Sequence, residues 1–148
     1  MSDWKSDLAN SFKKKGENKK SDEEKLKITK EEVVKFFLQI VIPAFRELKT
    51  ELEKYGRDVR ITNSSESSMI EVHYEGQMEI DYSIKVRIFP GRAIPYPETR
   101  FNEKSDMKTY RAEGTLRSGS QDYDISQITK DEIIQKFLTD YKQEIHLP

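Results

Sequence analysis

The chain has 148 residues, of which 34% are hydrophobic and 36% are charged, so one domain of ordinary size is expected. The longest run without a charge is only ten residues, Phe36 to Phe45, which excludes an apolar membrane-spanning helix. The absence of cysteine excludes disulfides, thiolate metal sites and a cysteine nucleophile. The net charge of −1 gives none of the global positive field that is typical of nucleic-acid-binding proteins.

The first 27 residues are predicted to form a flexible charged arm. Residues 13–27 contain one apolar side chain in fifteen, too few to repay the entropy of ordering. Before them, Trp4, Leu8 and Phe12 are spaced i, i+4, i+8, which indicates a short amphipathic helix. A helix this short needs a partner surface, so these three residues predict docking on another molecule. The alternative is that they pack on this protein's own core or lie in a disordered segment. The start shows no apolar leader, so we expect a cytoplasmic protein without a membrane partner.

The first confident helix is predicted over Thr29–Tyr55. Thr29 and Glu32 are spaced as a capping box, and Gly56 is placed as the C-terminal stop. The first half of this helix is apolar around most of its circumference, which predicts that either the arm or a second subunit covers the additional face. Pro43 predicts a kink or a division of the helix.

From Arg57 onward, apolar and polar residues alternate with a period of two, which predicts strands. The clearest strand covers 78–88, with others at 59–61, 70–74, 98–102 and 108–116 and a short sixth at 121–125. Clean alternation favours an antiparallel sheet with one covered and one solvated face. A last helix begins with a second capping box, Thr129 and Glu132. The pattern of elements therefore predicts a single α+β domain over residues 28–148. Its two layers are an antiparallel meander of five or six strands and, on one face of that sheet, an N-terminal and a C-terminal helix.

The sequence shows no catalytic or metal-binding constellation. The two histidines, His73 and His146, have no carboxylate cluster at metal-ligand spacing, and neither a G-x-S-x-G motif nor a phosphate-binding glycine loop is present. The series Asp122, Asp124 and Ser126 begins like a calcium loop but lacks the required glycine and glutamate. We therefore expect no metal and no cofactor, and favour a protein that is not an enzyme.

The leading hypothesis is a small non-catalytic module that binds a protein partner or a second copy of itself as a homodimer. Three prolines stiffen a predicted loop over 89–97, and a stiff loop with aromatic, apolar and arginine side chains is typical of interfaces. Alternatively, the apolar side chains of this loop pack against the end of the sheet. The candidate interaction residues are Phe89, Arg92, Ile94 and Tyr96 of this loop, Phe36 and Ile42 of the first helix, and Trp4, Leu8 and Phe12 of the arm.

Two other functions remain as alternatives. A nucleic-acid-binding accessory protein would use a basic arm and the solvated sheet face, through Lys13, Lys14, Lys15, Lys19, Lys20, Arg60, Lys85, Arg87 and Arg111. Acidic residues predicted on the same face, Glu71, Glu79, Asp81 and Glu113, favour cross-strand ion pairs instead. A small-molecule-binding protein or acid–base enzyme would use a cavity between sheet and helices with Tyr74, Tyr82 and Tyr110 on its wall, unless these tyrosines only reach solvent or a helix cap.

Overall fold

The computed structural model describes the backbone of residues 3–102, 109–117 and 123–148, and the side chains of these residues except 101, 102 and 109–111. The elements in chain order are α1 (Trp4–Phe36), a π-helical turn (Phe37–Val41), α2 (Ile42–Glu53), β1 (Asp58–Asn63), β2 (Ser67–Tyr74), β3 (Gln77–Phe89), β4 (Arg92–Asn102), β5 (Thr109–Glu113), a 3₁₀ turn (Ile125–Gln127) and α3 (Lys130–Glu144). The strands form one antiparallel sheet in the order β1-β2-β3-β4-β5. The predicted α+β class and the meander sheet are confirmed.

The helices cover one face of the sheet, as the alternation predicted. Alternate residues of β2 and β3 point into the core, where they are buried with apolar residues of the three helices. The sheet contributes Val59, Ile70, Val72, Ile80, Tyr82 and Ile84, and the helices contribute Val33, Phe37, Phe45, Leu48, Ile133 and Phe137. A buried side chain of this size contributes about 1.5–3 kcal/mol relative to an exposed one, so this interlayer core holds the fold together.

The helix break predicted at Pro43 takes the form of a π turn. The N–H of Ile42 donates to the Phe37 carbonyl, five residues earlier, where an α-helix would use a spacing of four. Pro43 then lies in the first turn of α2, where a residue without an N–H is tolerated. Gly56, with φ of +80°, follows the end of α2 as predicted.

The additional apolar face of the first helix is covered only in part by the protein's own core, since Val34 and Leu38 stay 40% and 61% exposed. Phe36 and Ile42 are only 5% and 7% exposed. The π turn between them contacts β2 and α3, and α1 contacts the 3₁₀ turn. These internal contacts cover Phe36 and Ile42 without the arm or a second subunit. Phe36 and Ile42 therefore stabilise the fold, which corrects their assignment to an exposed interaction surface.

Thr29 lies inside α1 and not at a helix start, which corrects the first predicted capping box. Its hydroxyl donates to the Lys25 carbonyl at 2.8 Å and accepts from the Gly91 N–H, in the turn between β3 and β4, at 2.9 Å. The helix continues upstream of Thr29 because lysine and glutamate are good helix formers. The second capping box, Thr129 with Glu132, is confirmed by both of its hydrogen bonds.

We expect Thr29→Val to lower the free energy of unfolding by about 1–3 kcal/mol, because the partly buried Gly91 N–H would lose its acceptor. Urea unfolding followed by circular dichroism measures this loss. Thr29→Ser, which keeps the hydroxyl, should recover most of it. A valine variant as stable as the wild type would show that this hydrogen bond does not anchor α1 to the sheet.

The predicted 89–97 loop is a two-residue turn followed by a strand. Phe89 pairs with Arg92 across Pro90 and Gly91, and β4 continues through Pro95 and Pro97. β4 pairs with β5 only from Glu98 onward. Pro95 and Pro97 lie before that point, where the side of β4 that later faces β5 has no neighbouring strand, so their missing N–H groups break no hydrogen bond of the sheet. The predicted sixth strand lies partly outside the described residues, and at its described end Ile125 begins the 3₁₀ turn.

Candidate interaction surfaces

The N-terminal part of α1 projects beyond the folded domain. From Trp4 to Ile28 it spans 25 residues, about 38 Å of helix, and every residue up to Lys25 is exposed. Asp3 caps the start, where its carboxylate accepts from the N–H groups of Lys5 and Ser6. The 13–27 segment, expected to be a flexible arm, is thus helical in this structure.

Trp4, Leu8 and Phe12 form an apolar stripe on this projecting helix, which we call the N-terminal stripe. Their side chains are 66%, 50% and 66% exposed. With 3.6 residues per turn, the stripe faces the same side of α1 as Val33, which is buried against the sheet. The N-terminal stripe therefore continues the core-facing side of α1 past the end of the sheet.

Gly16 is the weakest point of the projecting helix, because glycine in a helix interior costs about 1 kcal/mol relative to alanine. A Cβ at this position would meet no atom within 4 Å. We expect Gly16→Ala to increase the helical signal at 222 nm below the unfolding transition. The midpoint of the main transition should change little, since this segment is remote from the core. An unchanged helical signal would contradict the continuous helix.

A second apolar surface is the groove between α2 and α3, which we call the α2–α3 groove. Its cavity volume is about 550 Å³. It is lined by Arg46, Glu47, Leu48, Thr50, Glu51, Leu52, Tyr55, Ile134 and Leu138. Tyr55 is one of the most exposed large apolar side chains. Sequence reasoning assigned several of these residues to helix stripes, but it could not place the two helices side by side.

The solvated face of the sheet carries a network of ion pairs. Lys85 Nζ lies 3.1 Å from Glu98 Oε1, and Arg87 Nη2 lies 2.6 Å from Glu113 Oε2. Arg60 forms an exposed pair with Asp58 at 3.4 Å. The backbone of Arg111 pairs with Arg100, and its side chain is outside the described part of the chain. Cross-strand pairing, which the sequence predicted for this face, is present at Lys85 and Arg87, whereas Arg60 pairs within its own strand. Lys13, Lys14, Lys15, Lys19 and Lys20 are exposed on the projecting helix.

The four residues singled out in the predicted loop share the solvated sheet face. Phe89, Arg92, Ile94 and Tyr96 lie at alternate positions at the tip of the β3–β4 hairpin. The guanidinium of Arg87 lies 4.2 Å from the ring centroid of Tyr96. Phe89 is 47% exposed, so the hairpin tip presents one large apolar side chain to solvent.

A β-bulge turns Glu79 to the helix-covered side of the sheet, which corrects its predicted place on the solvated face. Val72 pairs with Ile80 and His73 with Met78, so that Glu79 is the additional residue. Its carboxylate accepts two hydrogen bonds from Arg57, at 3.0 and 3.2 Å, and one from the Tyr141 hydroxyl at 2.6 Å. Sequence reasoning missed this cluster, which closes the end of the interlayer core.

The Glu79 cluster predicts a loss of stability at alkaline pH. Burial, with a contribution from its hydrogen bond to Glu79, raises the pKa of Tyr141 from 10.0 to about 12. The pKa of Tyr141 is higher in the folded than in the unfolded chain. Its contribution to the free energy of unfolding is therefore complete below pH 10 and is lost as pH rises through 12. We expect the urea midpoint of the wild type to fall more steeply over this range than that of Tyr141→Phe. Parallel pH profiles for the two proteins would contradict this coupling.

Two of the three tyrosines predicted to line a cavity, Tyr74 and Tyr82, have different surroundings in the structure. Tyr82 is fully buried, with its ring 5.2 Å from that of Phe137, and burial raises its pKa well above the ordinary value. Tyr74 is the last residue of β2, with the Arg57 guanidinium 3.9 Å from its ring centroid. The side chain of Tyr110 is outside the described residues. These positions give no support to a common ligand-binding wall.

The described residues contain no group of three or more histidine, aspartate or glutamate side chains placed to hold a metal ion. Of Asp122, Asp124 and Ser126, the first is outside the described residues, and Asp124 caps the 3₁₀ turn. In the same described ranges, no helix is both long and apolar enough to cross a membrane. No protein-family model matches the sequence, and neither curated proteins nor solved structures give a significant match.

Proposed function

We propose that this protein is a non-catalytic protein-interaction module that presents the N-terminal stripe to another polypeptide. One observation carries the proposal: Trp4, Leu8 and Phe12 are half to two-thirds exposed on one face of a helix that projects beyond the domain. Burying each of these side chains is worth about 1.5–3 kcal/mol. Tryptophan and other aromatic residues are also the residues that most often dominate binding energy at interfaces.

The position of the N-terminal stripe also favours docking on a second molecule. The hydrogen bond between Thr29 and Gly91 holds α1 at the β3–β4 turn, and the helix then leaves the sheet. The stripe lies well beyond this turn, since Phe12 is 17 residues and Trp4 is 25 residues before Thr29, about 26 and 38 Å of helix. A partner can therefore bind the stripe without contacting the sheet. A cytoplasmic location, expected from the sequence, is part of the proposal.

Nucleic-acid binding is supported less well by the same structure. The exposed lysines of α1 supply positive charge, but Lys85, Arg87 and Arg60 on the sheet are each within 4 Å of a carboxylate. An ion-paired cation must give up its partner before it can release counterions from a phosphate backbone. The sheet thus offers few free charges to a nucleic acid.

The test compares proteins that the immobilised full chain retains from a lysate of its own cells, including untagged copies of this chain. The stripe variant carries Trp4→Ala, Leu8→Ala and Phe12→Ala. The control carries Ser6→Ala and Asn10→Ala, on the opposite side of the same exposed helix. We expect the stripe variant to retain at least tenfold less specifically bound protein than the wild type, and the control to retain as much as the wild type. Equal retention by the stripe variant would refute the proposal.

A further inference from the structure

We propose that the N-terminal stripe of one copy docks in the α2–α3 groove of a second copy of this chain. The inference rests on the proposed function, because it names the partner and the binding site of the same stripe. The two surfaces are the apolar face of an amphipathic helix and an apolar channel between two helices, which is an established mode of recognition.

The groove has the shape and chemistry that this occupant needs. Leu48, Leu52, Ile134 and Leu138 give it an apolar lining, to which the exposed Tyr55 contributes an aromatic ring. A volume of about 550 Å³ accommodates several large side chains. Trp4, Leu8 and Phe12 are spaced to enter such a groove from successive turns of one helix.

The helical path prevents the stripe from reaching the groove of its own chain. Leu8 lies 21 residues before Thr29, about 32 Å of helix outward from the point where α1 is anchored. Arg46, at the start of the groove, lies 17 residues beyond Thr29 in the opposite direction. The chain is helical throughout this interval. The two surfaces are therefore at opposite ends of one long helical element, and only a second copy can bring them together.

The charges of the two surfaces are complementary. Residues 3–20 carry six lysines against three acidic residues, a net charge of +3. The two helices that form the groove each carry one more acidic than basic residue, a net charge of −2 together. Glu47 and Glu51 line the groove in exposed ion pairs, with Lys130 at 3.1 Å and Lys54 at 2.9 Å, so that a lysine of a second copy can compete for either carboxylate. Lys13, Lys14 and Lys15 follow the stripe directly. Opposite charges of this kind accelerate association and favour this pairing over others.

Each copy carries both surfaces, and with a twofold axis between the copies two reciprocal contacts close a symmetric dimer. The test is light scattering on the full chain with one substitution in each surface. Leu8→Glu alters the stripe and Tyr55→Lys alters the groove, and both residues are at least half exposed, so neither change threatens the core. Asn10→Glu and Thr62→Lys are the matched controls, since both residues are exposed and lie outside the two surfaces.

We expect the wild type and both controls to be dimers, and each surface variant to need at least tenfold more protein to dimerise. Mixing Leu8→Glu with Tyr55→Lys should restore association, because one intact stripe then meets one intact groove. Trp4, the only tryptophan, should shift its emission to shorter wavelength in the wild-type dimer and in the mixture, but not in either variant alone.

A monomeric wild type, a dimer that tolerates Tyr55→Lys, or a mixture that stays monomeric would overturn this inference. If the stripe variant still loses retained protein in the lysate test, the proposed function survives any of these results and the partner is a different protein. If retention is also unchanged, both proposals fail.

Discussion

Replacing Phe137 by alanine is expected to lower the free energy of unfolding by about 3–5 kcal/mol, the largest loss expected from any single substitution considered. Phe137 is fully buried where α3 packs on the sheet. Its ring meets Tyr82 edge-on at 5.2 Å and stacks on Tyr141 at 5.5 Å, so that truncation removes two aromatic contacts and leaves a cavity. The loss is a large fraction of the total stability of a domain of this size.

Urea unfolding followed by both circular dichroism and tyrosine fluorescence measures this effect. Gln135→Ala, two residues earlier on the exposed side of the same helix, is the control and should change the free energy by less than about 0.5 kcal/mol. A Phe137 variant that stays within 1 kcal/mol of the wild type would mean that α3 does not supply this part of the core.

The second large effect is expected at Glu79. Glu79→Ala leaves the Arg57 guanidinium and the Tyr141 hydroxyl without their common acceptor in a mostly buried site. Removing one partner of such a pair costs about 3 kcal/mol, chiefly because the remaining charge is poorly solvated. The hydrogen bonds that Arg57 donates to Glu79 raise the pKa of Arg57. Without Glu79 the guanidinium still stays charged, because an arginine side chain is protonated at every pH at which proteins fold.

Asp58 provides the matched control for Glu79. It also pairs with an arginine, Arg60, but both side chains are about two-thirds exposed. Exposed pairs of this kind contribute about 0–1 kcal/mol, so Asp58→Ala should leave the urea midpoint almost unchanged. Equal losses for Asp58→Ala and Glu79→Ala would show that burial does not distinguish the two pairs.

Local periodicity predicted the fold class because a one-sided sheet and its covering helices leave clear patterns in this sequence. The strand predicted over 78–88 and the capping box at Thr129 rest on local features, and the structure contains both, with the alternation holding from Ile80 onward. The loop error at Phe89 arose from reading three prolines as a break. Their effect depends on whether β4 has a hydrogen-bonded neighbour at that point, which is a tertiary property.

The Glu79 bulge could have been found from the sequence. The Glu75–Gly76 turn has two residues with positive φ and pairs Tyr74 with Gln77. An unbroken register from that turn would place Val72 opposite Glu79. Since Val72 needs an apolar partner on the covered face, one additional residue is required before Ile80. The register of the turn and the hydrophobic pattern together therefore demand a bulge.

The candidate site was less predictable than the fold. Spacing alone identified the N-terminal stripe, because three residues on one helix face need no tertiary information. The α2–α3 groove depends on how two helices separated by the entire sheet come together. Phe36 and Ile42 were misplaced for the same reason: a helix that is apolar on several sides does not reveal which parts of its own chain cover it.

The π turn at Phe37–Val41 changes the direction in which α2 faces relative to α1 around their common helical path. At about 100° per residue, a regular α-helix would place the buried residues of α2, such as Leu48 and Leu52, about 100° around the axis from those of α1, such as Thr29 and Val33. A π turn accommodates one additional residue and so reverses about 100° of rotation. Both helices can then keep one side toward the same sheet, although their apolar patterns are out of step in the sequence.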